Sequence, residues 1–326
     1  MGELLYKVQV GSFSNIENAK RKLKEVEDAG FNGVIVPFGT LYRVQCGAFR
    51  DKDNANKLLK EVKKFFITAA IIEEMSDVPT TGYKVMLTTK ASQSNAIQNG
   101  ILVIEPEDYT LEEIKKLKKP GVTLLGYISI GSVSDERPYY KKLKPFRLSR
   151  LEDWHHEWYL DLRKEEARKW CVNRAKEIKA MGFDGWWCDN VDVYEYHKSS
   201  KMYDAITSVL KSIKALGGYV MINGGSEYIS KLMDSDKNHK SITFIDGVTQ
   251  EEVISLIKDY DGKGKFGKQT SEMNKWYESY MIRLLRHGVG AFLLEYTTDA
   301  SVKKKIIDFC QKNNMSGFYI SGDVDL

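Results

Sequence analysis

The residues best placed for chemistry in this chain are carboxylates that close short apolar runs. In GFDGWWCDN (182–190) the run ends at Asp189, with Asn190 and Asp192 at and beyond its edge. In FIDGVTQEEV (244–253) it ends at Glu251, beside Glu252. Other run ends supply Glu105, Ser129 with Gly131, Asp161, Asn223, Glu295 with Tyr296, and Asp323. Carboxylates forced together repel one another, so one is held protonated while its partner stays ionised. A general acid paired with an ionised base or nucleophile needs that split. Lys and Arg are almost missing from these positions, which argues against phosphorylated or otherwise anionic substrates. The four cysteines form no CxxC pair and the five histidines no HxxxH or HExxH spacing, so a metal site or disulfide framework is not expected. Cys188, next to Asp189, has no adjoining His and alternates away from it, which leaves no thiol nucleophile.

From Tyr83 onward nine strand-like runs alternate with amphipathic helical stretches such as LEEIKKLKK and KMYDAITSVLKSIKALGG. The runs begin at Tyr83, Ile101, Val122, Trp158, Phe183, Tyr219, Ile242, Gly290 and Gly317. That alternation over this length predicts an α/β protein with a parallel sheet, a (β/α)8 barrel with one run as an extra strand. In such a barrel the chemistry gathers where strands end, so the run ends above are brought to one rim. No GxGxxG or GxxxxGK[ST] follows a strand, and no cofactor is expected. Tyr127, Trp186, Trp187 and Tyr296 offer ring faces for stacking. Strand alternation turns at least one of the two tryptophans outward into packing. Asn223 and Asp192 read as hydroxyl-holding or loop-capping residues, and Asp161 and Glu295 as site residues or structural ion pairs. The His155–His156 pair reads as loop surface.

Near the start one phrase occurs twice, YKVQVGSF (6–13) and YRVQCGAF (42–49). Each alternates apolar and polar residues, as a strand with one buried face does. Each leads through a polar turn into a helical pattern, capped by Asn15 in the first copy and by Asp51 or Asp53 in the second, and then into another strand. The order is β-α-β-β-α-β, a small ferredoxin-like α+β unit. Alternation places Lys7, Gln9, Arg43 and Gln45 on the sheet face away from the helices. The domain limits read as 1–75, a linker at 76–82 (SDVPTTG), and 83–326.

With these motifs in view, residues 5–74 resemble the SPOR (sporulation-related repeat) domain, on the two Y-[KR]-V-Q-x-G-[SA]-F strands and the Asn-Ala helix starts (Asn18-Ala19, Asn54-Ala55). The resemblance implies binding to bacterial peptidoglycan glycan strands, with the four polar residues of the open face as the contacts. The barrel segment resembles glycoside hydrolase family 114, the endo-α-1,4-polygalactosaminidases. The likeness rests on GFDGWWCDNVDVY, GYISIGSVSDERPYY, NGGSEY and FIDGVTQEEV. It implies metal-free cleavage of a galactosamine-containing polymer by a carboxylate pair, Asp189 as nucleophile or base and Glu251 as acid, with Glu252 competing for the second role. The sugar-binding set it suggests is Tyr127, Ser129, Asp161, Trp186, Asn190, Asp192, Asn223, Glu295 and Tyr296. Retention or inversion turns on the carboxylate separation, which sequence does not give.

The whole chain has 326 residues with net charge +4, and its charge is nearly balanced on either side of residue 76. Nucleic acid is therefore not the expected partner. No apolar run of membrane-spanning length occurs. MGELLYKVQVGS lacks a basic region followed by an apolar stretch, so no signal peptide is expected. The expectation is a wall or extracellular polysaccharide hydrolase tethered by its small domain, released by lysis as an endolysin is, or processed after secretion. The competing expectation is a wall-binding protein with an inactive barrel.

Overall fold

The computed structural model describes residues 4–38, 41–49, 52–75, 82–92, 96–97, 99–236, 242–260, 265–324 and 326. The chain divides into two compact units, Met1–Pro79 and Thr80–Leu326. The expected linker lies, apart from Gly82, outside the described residues, as does the candidate cap Asp51.

In the first unit the strands Leu4–Phe13, Val34–Phe38, Leu41–Phe49 and Ala70–Met75 form one sheet in the order second, third, first, fourth, with every neighbouring pair antiparallel. The helices Ile16–Asp28 and Lys52–Val62 connect them as the repeat requires. Asn15 caps the first helix by accepting the Glu17 N–H at 2.7 Å. Val8, Val10, Val44 and Cys46 from the sheet meet Ala19 and Val26 of the first helix and Val62 of the second in one core. The opposite face carries Lys7, Gln9 and Arg43 partly exposed, but Gln45 is only 3% exposed. Its place explains this: it sits mid-sheet, flanked in register by Gln9 and Val34. Gln9 Oε1 and Gln45 Nε2 are both buried without a hydrogen-bond partner.

The second unit is built on eight parallel strands: Tyr83–Met86, Gly100–Ile104, Val122–Ser129, Gly185–Asp189, Tyr219–Asn223, Gly247–Glu251, Gly290–Tyr296 and Gly317–Ser321. Each pairs with the next in chain order. The first and last strands face each other across the closing seam, where Leu87 N–H donates to the backbone oxygen of Leu326 at 2.6 Å. The result is a (β/α)8 barrel. Its interior is filled by Tyr83, Val85, Val103, Leu125, Trp187, Met221 and Leu294 among others.

Two Asp-Gly pairs explain how the fourth and sixth strands are set in place. Asp184 accepts the Leu124 N–H at 2.9 Å and Lys118 at 2.7 Å; Asp246 accepts the Val220 N–H at 2.7 Å and Lys214 at 2.6 Å. Each carboxylate thus ties the start of its strand to the strand before it. The glycine that follows is obligatory in the first case, since a Cβ on Gly185 would lie 2.0 Å from the Tyr219 carbonyl oxygen.

One run is the expected extra strand, and the start of another needs correction. The run at Trp158 belongs to a separate three-stranded sheet (Ser132–Ser134, Arg147–Arg150, Glu157–Leu160) inserted after the third barrel strand. The sixth strand starts at Gly247, so the preceding Ile242–Asp246 is not part of it. A second insertion, the antiparallel pair Ser255–Asp259 and Lys265–Lys268, follows that strand and was not expected.

Trp186 points out of the barrel. It is fully buried and its indole N–H donates to the Ala175 carbonyl at 2.9 Å, on helix Glu165–Ala180. Trp186→Ala is expected to leave a cavity costing about 3–5 kcal/mol. A thermal melt should show a large drop in Tm, while turnover per folded molecule changes little; a melt like wild type would contradict this placement.

Candidate active site

The fourth, fifth and sixth barrel strands end side by side at Asp189, Asn223 and Glu251. The Asn223 amide lies between the two acids. Its Nδ2 donates to Asp189 Oδ1 at 3.0 Å and to Glu251 Oε1 at 2.7 Å. Because both bonds leave one nitrogen, the two acceptor oxygens lie within about 6 Å of each other, the short range of carboxylate pairs. Asp189 Oδ2 accepts from Tyr127 OH and from Asn190 Nδ2, each at 3.1 Å. Glu251 Oε2 accepts from Tyr296 OH at 2.6 Å.

The local backbone makes this possible. Asn190 takes a left-handed conformation (φ 63°), a turn that Asn tolerates better than most residues. Its side chain then bonds both Asp189 and Ser129 Oγ, the latter at 3.1 Å. Beyond the fifth strand, Gly224 is also left-handed (φ 65°), and a Cβ there would meet Asp192 Oδ1 at 2.7 Å. Asp192 in turn accepts the Gly225 N–H at 2.6 Å. The loops after the fourth and fifth strands are locked together in this way, and Asn223 with them.

Burial dominates the electrostatics. It raises the Asp189 carboxyl, against the lowering effect of the bonds from Asn223, Asn190 and Tyr127. It pushes Glu251 up to about 7, opposed by the Tyr296 and Asn223 bonds and reinforced by the charges of Asp189 and Glu252. Asp192 also rises to about 7, through burial and the neighbouring Glu195. Three donors hold the ionised form of Asp189, whereas Glu251 is left near neutrality. Asp189 thus has one more donor to its ionised form than Glu251, whose carboxyl, at about 7, keeps its proton up to neutral pH.

These groups line a cleft of roughly 1000 Å³. Of the residues expected to bind substrate, Tyr127, Asn190, Asp192, Asn223 and Tyr296 line it with the two acids. Four others do not. Ser129 lies behind Asn190. Asp161 pairs with Arg163 Nε at 2.6 Å. Trp186 faces the helices, and it is Trp187 that lines the cleft, its N–H bonded to Tyr83 OH and Thr249 Oγ1 at 3.1 Å each. Glu295 is wholly buried and accepts the Ile254 and Ser255 N–H groups at 3.0 and 2.8 Å, anchoring the loop that follows Glu251. Glu252 lines the cleft but is turned away by its left-handed backbone (φ 56°) to accept from the Ile257 N–H and Tyr260 OH. His155 and His156, expected on the loop surface, border the cleft as well.

Sequence reasoning missed Glu157, which lines the cleft, accepts from Ser132 Oγ and is raised by burial. The strand Glu157–Leu160 runs away from the cleft, so its first residue reaches it and its last, near Asp161, does not. It also missed Arg137, whose guanidinium sits over the Tyr127 ring at 5.6 Å and pairs with Glu105 at 2.7 Å and Glu107 at 3.2 Å. Among the described residues, no His/Cys/Asp/Glu group is arranged to hold a metal ion.

A (β/α)8 barrel with a close carboxylate pair at the strand ends, within a carboxylate-lined cleft, has the makings of a glycosidase. Residues 68–321 match the profile of glycoside-hydrolase family GH114, and residues 5–73 match that of the SPOR domain. The chain belongs to glycoside-hydrolase family GH114 and carries a SPOR domain before its barrel. An uncharacterized protein of Methanocaldococcus jannaschii is 27% identical over 227 residues, 55% of this chain and 63% of that protein, so the chain spans less than two thirds of that relative's length. Among solved structures, the glycoside hydrolase domain of PelA from Pseudomonas aeruginosa aligns with TM-score 0.60 at 15% identity, over 74% of this chain and 95% of that one. Ega3 of Aspergillus fumigatus aligns with TM-score 0.56 at 18% identity, over 74% and 92%. These likenesses share the barrel fold. No helix among the described residues is long and apolar enough to cross a membrane.

The raised Glu251 carboxyl has a consequence for stability. The folded state keeps this proton between the ordinary value of 4.5 and about 7, where the unfolded chain has lost it. Its contribution is therefore whole below that window and is lost as pH rises through it. Glu251→Gln is expected to stabilise the protein at pH 8 by on the order of 2 kcal/mol, several degrees in Tm, and not at pH 4. Equal melting shifts at both pH values would show that Glu251 does not titrate in this way.

Proposed function

We propose that this protein is an endo-acting glycosidase that cleaves an amino-sugar polysaccharide, a galactosamine-containing polymer, while its SPOR domain holds it to peptidoglycan strands. The observation that carries the reading is the Asn223 amide shared by Asp189 and Glu251. The short separation it imposes favours double displacement with retention over the roughly 6.5–9.5 Å spacing of inverting pairs. Asp189 attacks the anomeric carbon as Glu251 passes its proton to the departing glycosidic oxygen. Glu251 then takes a proton from the water that cleaves the glycosyl–Asp189 ester. Tyr127, Asn190 and Asn223 keep the nucleophile ionised and aimed.

Charge supports the polymer. The cleft is bordered by Glu105, Asp153, Glu157, Asp189, Asp192, Glu251 and Glu252, and its Arg137 is engaged by Glu105 and Glu107. Such a cleft attracts cationic amino sugars and repels the lactyl and peptide carboxylates of peptidoglycan. Ega3 was solved with galactosamine bound, which fits this choice. In the small unit, Lys7, Gln9 and Arg43 stay partly exposed on the face away from the helices and suit a glycan's hydroxyl groups, whereas Gln45 is buried mid-sheet. Tethering would raise the local concentration of polymer without new catalytic contacts. The place of action is then the cell wall or its extracellular surroundings.

Reducing ends released from a galactosamine polymer, and separately from purified walls, test the reading. Wild type should release them from the former with retained anomeric configuration by NMR. Asp189→Asn and Glu251→Gln should lose at least about a thousandfold in kcat, yet still sediment with walls. Release from walls alone would reassign the substrate to peptidoglycan strands, and no release from either would leave a binding protein. The rate should fall above about pH 7 as Glu251 loses its proton, and fall again in acid as Asp189 gains one. A rate still climbing at pH 9 would remove Glu251 as the acid.

A further inference from the structure

Two insertions meet at the rim of the cleft, and the contact between them uses none of the catalytic groups. The first follows the third barrel strand and carries Trp154 at the turn between Arg147–Arg150 and Glu157–Leu160, where the Glu157 N–H bonds the Trp154 carbonyl at 3.0 Å. The second is the hairpin arm after the sixth strand, whose Tyr260 follows Ser255–Asp259. Both residues line the same cleft as Asp189 and Glu251. Their rings touch edge to face, with centroids 6.1 Å apart and planes at 67°. Tyr260 is itself held, its hydroxyl donating to Glu252 Oε2 at 3.3 Å.

Trp154 differs from the other exposed aromatic side chains of the barrel unit. Tyr196 stacks on Tyr159 and Trp276 on Tyr280. Trp154 is 53% exposed, and among the described residues its ring partner, Tyr260, meets it edge to face rather than stacked. What sets this indole apart is its place, since it and Tyr260 line the same cleft as the two acids and present aromatic surface to whatever enters it. The cleft, at roughly 1000 Å³, is at the top of the size range of small-molecule sites and has room for more than one sugar ring.

We propose that Trp154, steadied by its contact with Tyr260, is an outlying sugar subsite that takes a pyranose ring of the glycan chain on an exposed face of its indole, away from the bond being cut. The C–H face of a pyranose matches the negative face of the indole, and an ammonium substituent would add to that attraction. This rests on the glycosidase reading above, and it explains how a barrel could prefer an internal stretch of polymer to a chain end.

The test uses the full chain made inactive by Asp189→Asn, titrated calorimetrically with α-1,4-linked galactosamine oligosaccharides of increasing length and, separately, with denuded peptidoglycan strands. Affinity is expected to rise in a step at the length that spans from the catalytic pair to Trp154. Trp154→Ala in the same background should remove that step and weaken the longest oligosaccharide about tenfold, and Trp154→Phe should restore part of it. In the active enzyme, Trp154→Ala should lower kcat/KM on polymer about tenfold more than on a short aryl glycoside. A Trp154-dependent step with either glycan supports the subsite and identifies its polymer. The same length dependence with and without Trp154 overturns the subsite and leaves the glycosidase reading intact. Absence of binding at every length, with no cleavage by wild type, overturns both.

Discussion

An amide with two N–H bonds to give sits between two buried acids. The Asn223 side chain neutralises nothing, yet it gives each carboxylate a donor and fixes how far apart they stand. Two carboxylates brought together in a low-dielectric site would otherwise push apart or share a proton at random. With the amide between them, their inequality is set by the remaining donors: Tyr127 and Asn190 on one side, Tyr296 on the other. Everything outside this centre serves the register of three adjacent strands. The Asp184 and Asp246 clamps set where the fourth and sixth strands begin, and Asp192 ties the loops beyond the fourth and fifth. A slip of one residue in any of these strands would turn its acid or amide into the helical layer.

Strand period and strand ends made much of this legible from residues alone. A βα barrel gathers the ends of its parallel strands at one rim, so Asp189, Asn223, Glu251 and Tyr296 were named from position without knowledge of contacts. The same rule failed where its premise failed. The run at Trp158 is antiparallel and lies in an insertion, so its end led to Asp161 rather than to Glu157. Glu295 does end a parallel strand, but the hairpin inserted after Glu251 folds its backbone N–H groups over that carboxylate and closes it off from the cleft. Trp187 stands two residues before Asp189 and so shares its face, while Trp186 falls on the other, a separation that the alternation already applied to Cys188 makes legible. Gln45 shows the limit in the small unit: alternation gives the face of a sheet, and position within the sheet decides exposure.

The barrel also shows how burial of acids links chemistry to stability. Glu251, Asp192 and Glu295 are all pushed up to about 7 by desolvation, and of the three Glu251 is the one that shares the Asn223 amide with Asp189. Each keeps a proton in the folded state that the unfolded chain would release near its ordinary value, so each withdraws stability as pH rises through that window. The charge state that the fold favours is therefore one in which Glu251 is protonated. Catalysis by proton donation asks for the same state. Burial of an acid for structural reasons thus also supplies the protonation state that a general acid needs. Asp189 receives three hydrogen bonds, from Tyr127, Asn190 and Asn223. Glu251 receives two and both acids are buried, so hydrogen bonds are what distinguish them, and that difference would survive changes in the outer cleft that leave those donors in place.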